Sequence, residues 1–375
     1  MDTRSGRAGV SWSLMLVNAI RIAAIAIAVI YSWLIFSTGL VESSLIRDNA
    51  RSSIISMANG DAERPYVQRA LVPAFSNMVA NTVPHSLRFS AHKMLKAAHG
   101  QSDFMKEMIR FSRWQNIIDI PLKPYDSLRI LTVLACMFAS LLVYAFTLRK
   151  LAQELFPGCV LLPECTMLFG LFAANALVDA NLKLYDFPGM ALAALGMLTM
   201  LRQQWRAYIT IFILACMNKE SALLLTLFSA MVFWKHLPMR RWIDIVGVQL
   251  VLWALITTLL HLVYSNNAGA YLFHMWALAG REIMILRPDD VATLVVLGWL
   301  LFSRWQELPR FLQYSVIMVA GSACVYLLFG MLREYRVFYD SIPVIALLSS
   351  YSLWRLVRLP SHYQYSGRRS TAAPE

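Results

Sequence analysis

The chain has 375 residues, of which 58% are hydrophobic and only 15% charged, and its mean hydropathy is +0.54. That balance excludes an ordinary soluble domain and points to an all-α polytopic membrane protein. The formal net charge of +12 does not indicate nucleic-acid binding. The basic residues form no face or tail and lie mostly between apolar segments, where positive charge sets topology.

Arg4, Arg7 and Arg21 precede an apolar run from Ile22 to Leu40, about enough for one helix across a hydrocarbon core of about 30 Å. A signal peptide can look similar, but the many apolar segments further along the chain favour an uncleaved first span. Residues 41–127 are polar overall. After Pro65, apolar positions 71, 72, 75, 78, 79 and 83 recur at helical spacing. Leu87, Ala91, Met94, Leu95, Ala98, Met105, Met108 and Ile109 repeat the pattern, with Arg88, Lys93 and Lys96 on the other side. Basic amphipathic helices of this kind lie in the headgroup plane, so 41–127 is expected to be one long, structured outer loop with interfacial helices.

Further apolar runs come at 128–148, 160–178, 187–201, 207–217, 220–234, 242–264, 291–303, 311–331 and 341–358, for about ten segments in all. The expected organisation is a single integral-membrane domain over 1–358 and a disordered cytoplasmic tail over 359–375. With the N-terminus inside, every short cytoplasmic loop is basic: Arg149 and Lys150, Arg202 and Arg206, Lys235 with Arg240 and Arg241, then Arg304 and Arg310. The tail adds Arg355, Arg358, Arg368 and Arg369, so both termini are expected on the cytoplasmic side. Ala207 to Met217 would span only about 16 Å as a helix, half a bilayer. The turn after it, MNKES, is therefore expected below the outer surface in a recess.

The outer-side connections collect the unusual charged stretches: DAERPYVQR after Gly60, DANLKLYDFPG at 179–189, NKES at 218–221, GREIMILRPDD at 280–290 and REYRVFYD at 333–340. Charge at a membrane face is by default a functional-site hypothesis. Asp61 and Glu63 are the candidate general bases, able to take a proton from an acceptor hydroxyl. The competing reading is a solvated loop with ion pairs to Arg64 or Arg69, and Asp48 is a weaker rival. Arg64, Arg69, Lys183, Lys219, Arg333 and Arg336 are candidate phosphate ligands, arginine through paired hydrogen bonds and lysine as a point charge. Against this stands local pairing: Lys219 with Glu220, Arg333 with Glu334, Lys183 with Asp179 or Asp186. Asp186 reads either as a helix cap ahead of Pro188 or as a substrate contact, and Asp289 and Asp290 after Pro288 read as caps.

His85, His92 and His99 stand seven apart, too loosely aligned for a metal. Cys136, Cys159, Cys165, Cys216 and Cys324 form no zinc or redox spacing. No cofactor is required by any pattern; a divalent cation stays open, with no residue pattern to support it. HExxH, GxSxG, Walker and dinucleotide-binding motifs are absent. Trp242, Tyr264 and Trp299 near span ends read as interfacial anchors.

The layout resembles the polytopic glycosyltransferases of the GT-C fold: a first span, a long acidic outer loop with interfacial helices, then many spans of uneven length. RPYVQRALVP, LYDFPGMALAALGML, NKESALLL and EYRVFYDSIPVI resemble, in that order, motifs of bacterial membrane glycosyltransferases and surface-glycopolymer proteins. The resemblance covers nearly the whole chain. It implies a polyprenyl-phosphate-linked sugar donor, a glycan or lipid acceptor, and transfer on the periplasmic face of the bacterial inner membrane. It also implies a catalytic acid in the first outer loop, here Asp61 or Glu63, and marks Arg64, Arg69, Lys219, Glu220, Glu334 and Arg336 as motif residues. The rival expectations are a transporter or flippase for lipid-linked glycans, and a glycan polymerase or ligase. The first usually carries repeats and mid-membrane charges; the second usually carries its long outer loop late in the chain.

Overall fold

The computed structural model describes residues 5–42, 53–100, 123–177, 183–234, 236–269, 288–329 and 335–357. Among these, every regular element is helical. The helices are α1 (Ser5–Glu42), α2 (Ile54–Asn59), α3 (Leu71–Thr82), α4 (His85–Gly100), α5 (Pro124–Leu155), α6 (Leu162–Leu177) and α7 (Asp186–Leu201). After them come α8 (Trp205–Asn218), α9 (Leu223–Phe233), α10 (Met239–Val263), α11 (Pro288–Phe302), α12 (Arg310–Phe329) and α13 (Ile342–Val357). Each of the ten apolar runs coincides with one of these helices. Five stretches are long and apolar enough to cross a membrane: Leu14–Ser37, Pro124–Leu155, Met239–Val263, Arg310–Leu327 and Val337–Val357. The protein is thus a helical membrane protein. The tail at 359–375 and the charged runs at 280–287 and 330–334 lie outside the described residues.

Burial sorts the helices into a centre and a rim. In α7 nearly every residue from Asp186 to Met200 is buried, and α13 is buried from Ile342 to Ser352. A helix that is apolar all round belongs inside, and α7 is that helix, packed on α5, α8 and the turn before α13. By contrast α10 buries only Gln249, while Val251, Leu255, Leu259, Leu262 and Val263 are exposed. Apolar side chains on that scale need a lipid environment. Gln249, the one fully buried residue of α10, helps hold the helix to the bundle. Its amide oxygen accepts from Tyr208 Oη (2.8 Å), and its amide nitrogen donates to Ser229 Oγ (2.9 Å), the kind of interhelical hydrogen bond that stands in for hydrophobic force between lipid-facing helices.

Helix α1 approaches the bundle through Ala24, Ala28 and Ser32, buried at four-residue intervals, and then Ile35. Small residues at this spacing let helix backbones come close, and α1 packs on α6 and α5. The two amphipathic helices α3 and α4 lie against α5. Val72, Pro73, Ser76 and Ala80 are buried, while Phe75, Met78, Leu87, Phe89 and Met94 are exposed. His92 of α4 hydrogen-bonds Ser127 Oγ at 3.0 Å. The described part of α4 ends at Gly100, so the sequence pattern through 109 runs beyond the described residues.

Two short helices interrupt this scheme. With 14 residues α8 reaches about 21 Å and with 11 residues α9 about 17 Å. Between them Lys219 adopts an extended conformation (φ −165°, ψ 144°) and a 3-10 turn covers Glu220–Ala222. The NKES motif is this break.

Candidate functional site

One end of the bundle brings together four sequence motifs far apart in the chain. The first is the loop after α2. Asn267 Nδ2 donates to the carbonyls of Gly60 (2.7 Å) and Ala62 (2.9 Å), and Arg64 N donates to Ala268 O (2.8 Å). Gly269, at φ 97°, lies so close that a Cβ there would stand 2.6 Å from Arg64 O. Only glycine fits both the conformation and the approach. The loop is thereby fastened to the chain following α10.

A 3-10 turn at Tyr66–Gln68 then directs Tyr66 and Arg69 toward the start of α7. The Arg69 guanidinium lies 4.1 Å from the Tyr185 ring centre, and the Lys183 ammonium 5.3 Å from that of Tyr66. Each motif supplies the cation for the other's ring, a pair of contacts worth about 0.5–2 kcal/mol each depending on desolvation. Lys183 and Tyr185 are buried. Asp186, also buried, accepts from the backbone N–H of Lys183 at 2.7 Å and so closes the turn at its own helix start.

The third motif meets the fourth beneath them. Lys219 Nζ lies 3.5 Å from Asp340 Oδ2, and Ser221 Oγ donates a short hydrogen bond to the same oxygen. Asp340 is next to last in the 3-10 turn Tyr335–Ser341 before α13, and its Oδ1 occupies the space over Gly189 of α7, 2.9 Å from where a Cβ would be. Asn218 Nδ2 donates to Tyr185 O at 2.9 Å. Glu220 faces outward to Arg69, with Nε–Oε2 at 3.7 Å, and its carbonyl accepts from Trp253 Nε1 at 2.9 Å.

Local pairing therefore does not describe Lys219 or Glu220; for Lys183, the backbone N–H bonds Asp186, and Asp179 lies outside the described residues. The backbone break at Lys219 turns it and Glu220 in different directions, so each finds a partner on another element. Lys219 borders two small clefts. One is also lined by Asn218, Ser221, Gly189 and Asp340, the other by Gln68, Glu220, Thr257 and His261. Each has room for about one water.

Of the residues singled out in the sequence, Arg69, Lys183, Asp186, Lys219 and Glu220 are brought together here. Asp61 is exposed, and its carboxylate makes no ion pair or hydrogen bond among the described residues; Glu63 and Arg64 are half-buried on the same loop. Arg333 and Glu334 lie outside the described residues, and for Arg336 only the backbone, in the turn Tyr335–Ser341, is described. Asp340 and Ser221 were not singled out. Asp340 closes the REYRVFYD motif and stands just before a Pro-containing helix start, as Asp186 does; that shared grammar was the available signal. Gln68 was missed too. Among the described residues no three His, Cys, Asp or Glu side chains converge as a metal would require.

The arrangement combines the cations Arg69 and Lys219 with the carboxylates Glu220 and Asp340, beside the buried Lys183 and Asp186, in a bundle whose core is mostly apolar. Such preorganised charges act most strongly where water is scarce. No family model, curated protein or solved structure matches the chain, so the site is read from its own chemistry.

Proposed function

We propose that the chain is a GT-C-like glycosyltransferase of about ten spans. It moves a sugar from a polyprenyl-phosphate donor to a hydroxyl of a glycan or lipid acceptor. The observation that carries the reading is the gathering of Arg69, Lys183, Lys219, Glu220 and Asp340 at one end of a lipid-embedded bundle, beside the acidic loop of Asp61 and Glu63. In the proposed reaction the acceptor oxygen bonds to the anomeric carbon while the bond from that carbon to the phosphate oxygen breaks. The electron pair leaves on the phosphate, where Arg69 and Lys219 offset the charge, and the acceptor proton passes to Asp61 or Glu63. The positive-inside pattern supports an outer position for this end with both termini in the cytoplasm, and the resemblance supports the periplasmic face of a bacterial inner membrane.

The test is transfer from radiolabelled polyprenyl-phosphate sugars in membranes carrying wild type, Asp61→Asn or Glu63→Gln. Wild type is expected to transfer, and one variant to lose roughly a hundredfold or more in rate. A wild type that transfers from none of the donors would overturn the reading. Equal rates in both variants would remove this loop as the source of the base.

A further inference from the structure

The least satisfied polar side chain of this end is Gln68. It is 3% exposed, and neither its amide nitrogen nor its amide oxygen has a hydrogen-bond partner among the described residues. It lines the cleft shared by Lys219, Glu220, Thr257 and His261, and Thr257 Oγ1 is likewise buried and unpartnered. Three orphaned polar atoms thus border one cleft: a donor, an acceptor and a hydroxyl that is both. Buried polar atoms in folded proteins are almost always paired, so a group of exceptions around one cleft calls for a missing partner.

The chemistry of that partner can be deduced from the atoms. A primary amide offers N–H and C=O side by side, which matches two neighbouring hydroxyls, each able to donate and accept. A phosphate only accepts, so the amide oxygen of Gln68 would face it without a proton between. Lys219 borders this cleft and the one holding Asp340. A ligand with an anionic group at Lys219 and a neutral polyol ring beside it satisfies both. The cleft has room for about one water, so it admits a ring only if its outer wall, α10, shifts outward; α10 is mostly lipid-facing and is tied to the bundle by hydrogen bonds of Trp242, Gln249 and Trp253.

We propose that this cleft is a sugar-ring subsite in which the Gln68 amide, with Thr257, reads a vicinal diol of a neutral pyranose. That the ring is the donor sugar rests on the glycosyltransferase reading; that the cleft takes a pyranose diol does not. Gln68 and Thr257 are then specificity-determining residues. Glu220 and His261 flank the ring, and the bond from Trp253 to the Glu220 carbonyl is one of the contacts that the shift of α10 must stretch.

The test uses the purified full chain in detergent and a panel of methyl pyranosides that differ in configuration at successive ring carbons. Binding is followed by saturation-transfer NMR and stability by melting temperature. At least one glycoside is expected to bind saturably, and Gln68→Leu to weaken it roughly tenfold, the worth of one or two neutral hydrogen bonds. The ligand-free melting temperature of Gln68→Leu should be unchanged or higher, because the substitution removes an unsatisfied group. Thr257→Val should weaken the same glycoside and supplies the answer if Gln68→Leu does not fold. Absence of binding to wild type, or equal binding to the variants, would overturn the subsite. So would a lower melting temperature of Gln68→Leu with binding intact, which is what a structural water on the amide predicts. Glycoside binding without transfer from any donor would retire the glycosyltransferase reading and leave the subsite standing. Transfer whose sugar preference ignores Gln68→Leu would do the reverse.

Discussion

The two ends of the bundle use charge in different ways. Where α5, α7 and α13 finish, each of three glutamates sits between two cations. Glu164 accepts from Arg149 (3.0 Å) with Arg21 at 3.5 Å, Glu154 lies between Arg202 and Lys150, and Glu307 between Arg304 (3.1 Å) and Arg355 (2.7 Å). Between elements they tie α6 to α1 and α5, α5 to the end of α7, and the turn after α11 to α13, and they border neither cleft. At the other end the charges also pair, but around clefts, with Arg69 and Lys183 also lying against aromatic rings and, among the described residues, three polar atoms without a hydrogen-bond partner. At one end the ion pairs tie elements together away from either cleft; at the other they border both clefts. Polar groups that are buried, ordered and incompletely satisfied cost stability and persist where something else is to bind.

The largest effect that would sharpen this contrast is at Lys219. Lys219→Met is expected to lower transfer by about 10²–10³-fold, the range for losing one preorganised charge at a reacting group. It also leaves the buried Asp340 carboxylate without its ammonium, which costs about 3–5 kcal/mol when a buried pair loses one member. Adding Asp340→Leu removes the stranded charge. The double variant should regain most of the melting temperature and none of the transfer. Recovery of both would make the pair a structural bridge like those at the opposite end.

How far this site could be read from the sequence depends on the range of each interaction. The half-length segment Ala207–Met217 and the MNKES break after it were legible, because helix length and a polar interruption are local. The RPYVQR and LYDFPG stretches stood out by charge and proline. Their crossing contacts, Arg69 on Tyr185 and Lys183 near Tyr66, did not, since nothing local says which loop meets which. Asp340 shows the same limit. Its place before a Pro-containing helix start is a local feature, and only the fold carries it to Lys219 and Ser221. Gln68 gave no signal at all, because a glutamine acquires meaning only when burial strips its partners.

A smaller effect is expected at Gly269. Gly269→Val forces a β-branched residue into positive φ and against Arg64 O, a strain of about 1–3 kcal/mol. Limited proteolysis should then cut within residues 60–70 faster than in wild type, while the opposite end stays protected. Uniform protection of the loop would show that it is not held by the chain after α10.

The smallest effect belongs to the end that holds Glu307 and depends on pH. Burial pushes the Glu307 carboxyl up, but hydrogen bonds and charge from Arg355 and Arg304 outweigh this and hold it below its ordinary value of 4.5. Its contribution is therefore complete above about pH 4.5 and is lost as pH falls through the lowered value. Glu307→Gln should lower stability at neutral pH by about 0.3–1 kcal/mol, since the pair is partly solvated. Melting temperatures from pH 6 to pH 3 should converge on wild type at the acid end. A constant gap would assign the loss to packing instead of charge.

The most direct test sets the two ends against each other in one assay. Transfer from polyprenyl-phosphate sugars is measured for Lys219→Met and Glu164→Gln at matched amounts of folded protein. Glu164→Gln should transfer at the wild-type rate per folded molecule, despite a lower melting temperature, and Lys219→Met should transfer at most about one part in a hundred of it. Equal loss in both, or a greater loss from Glu164→Gln, would contradict the assignment of chemistry to the end that holds Lys219.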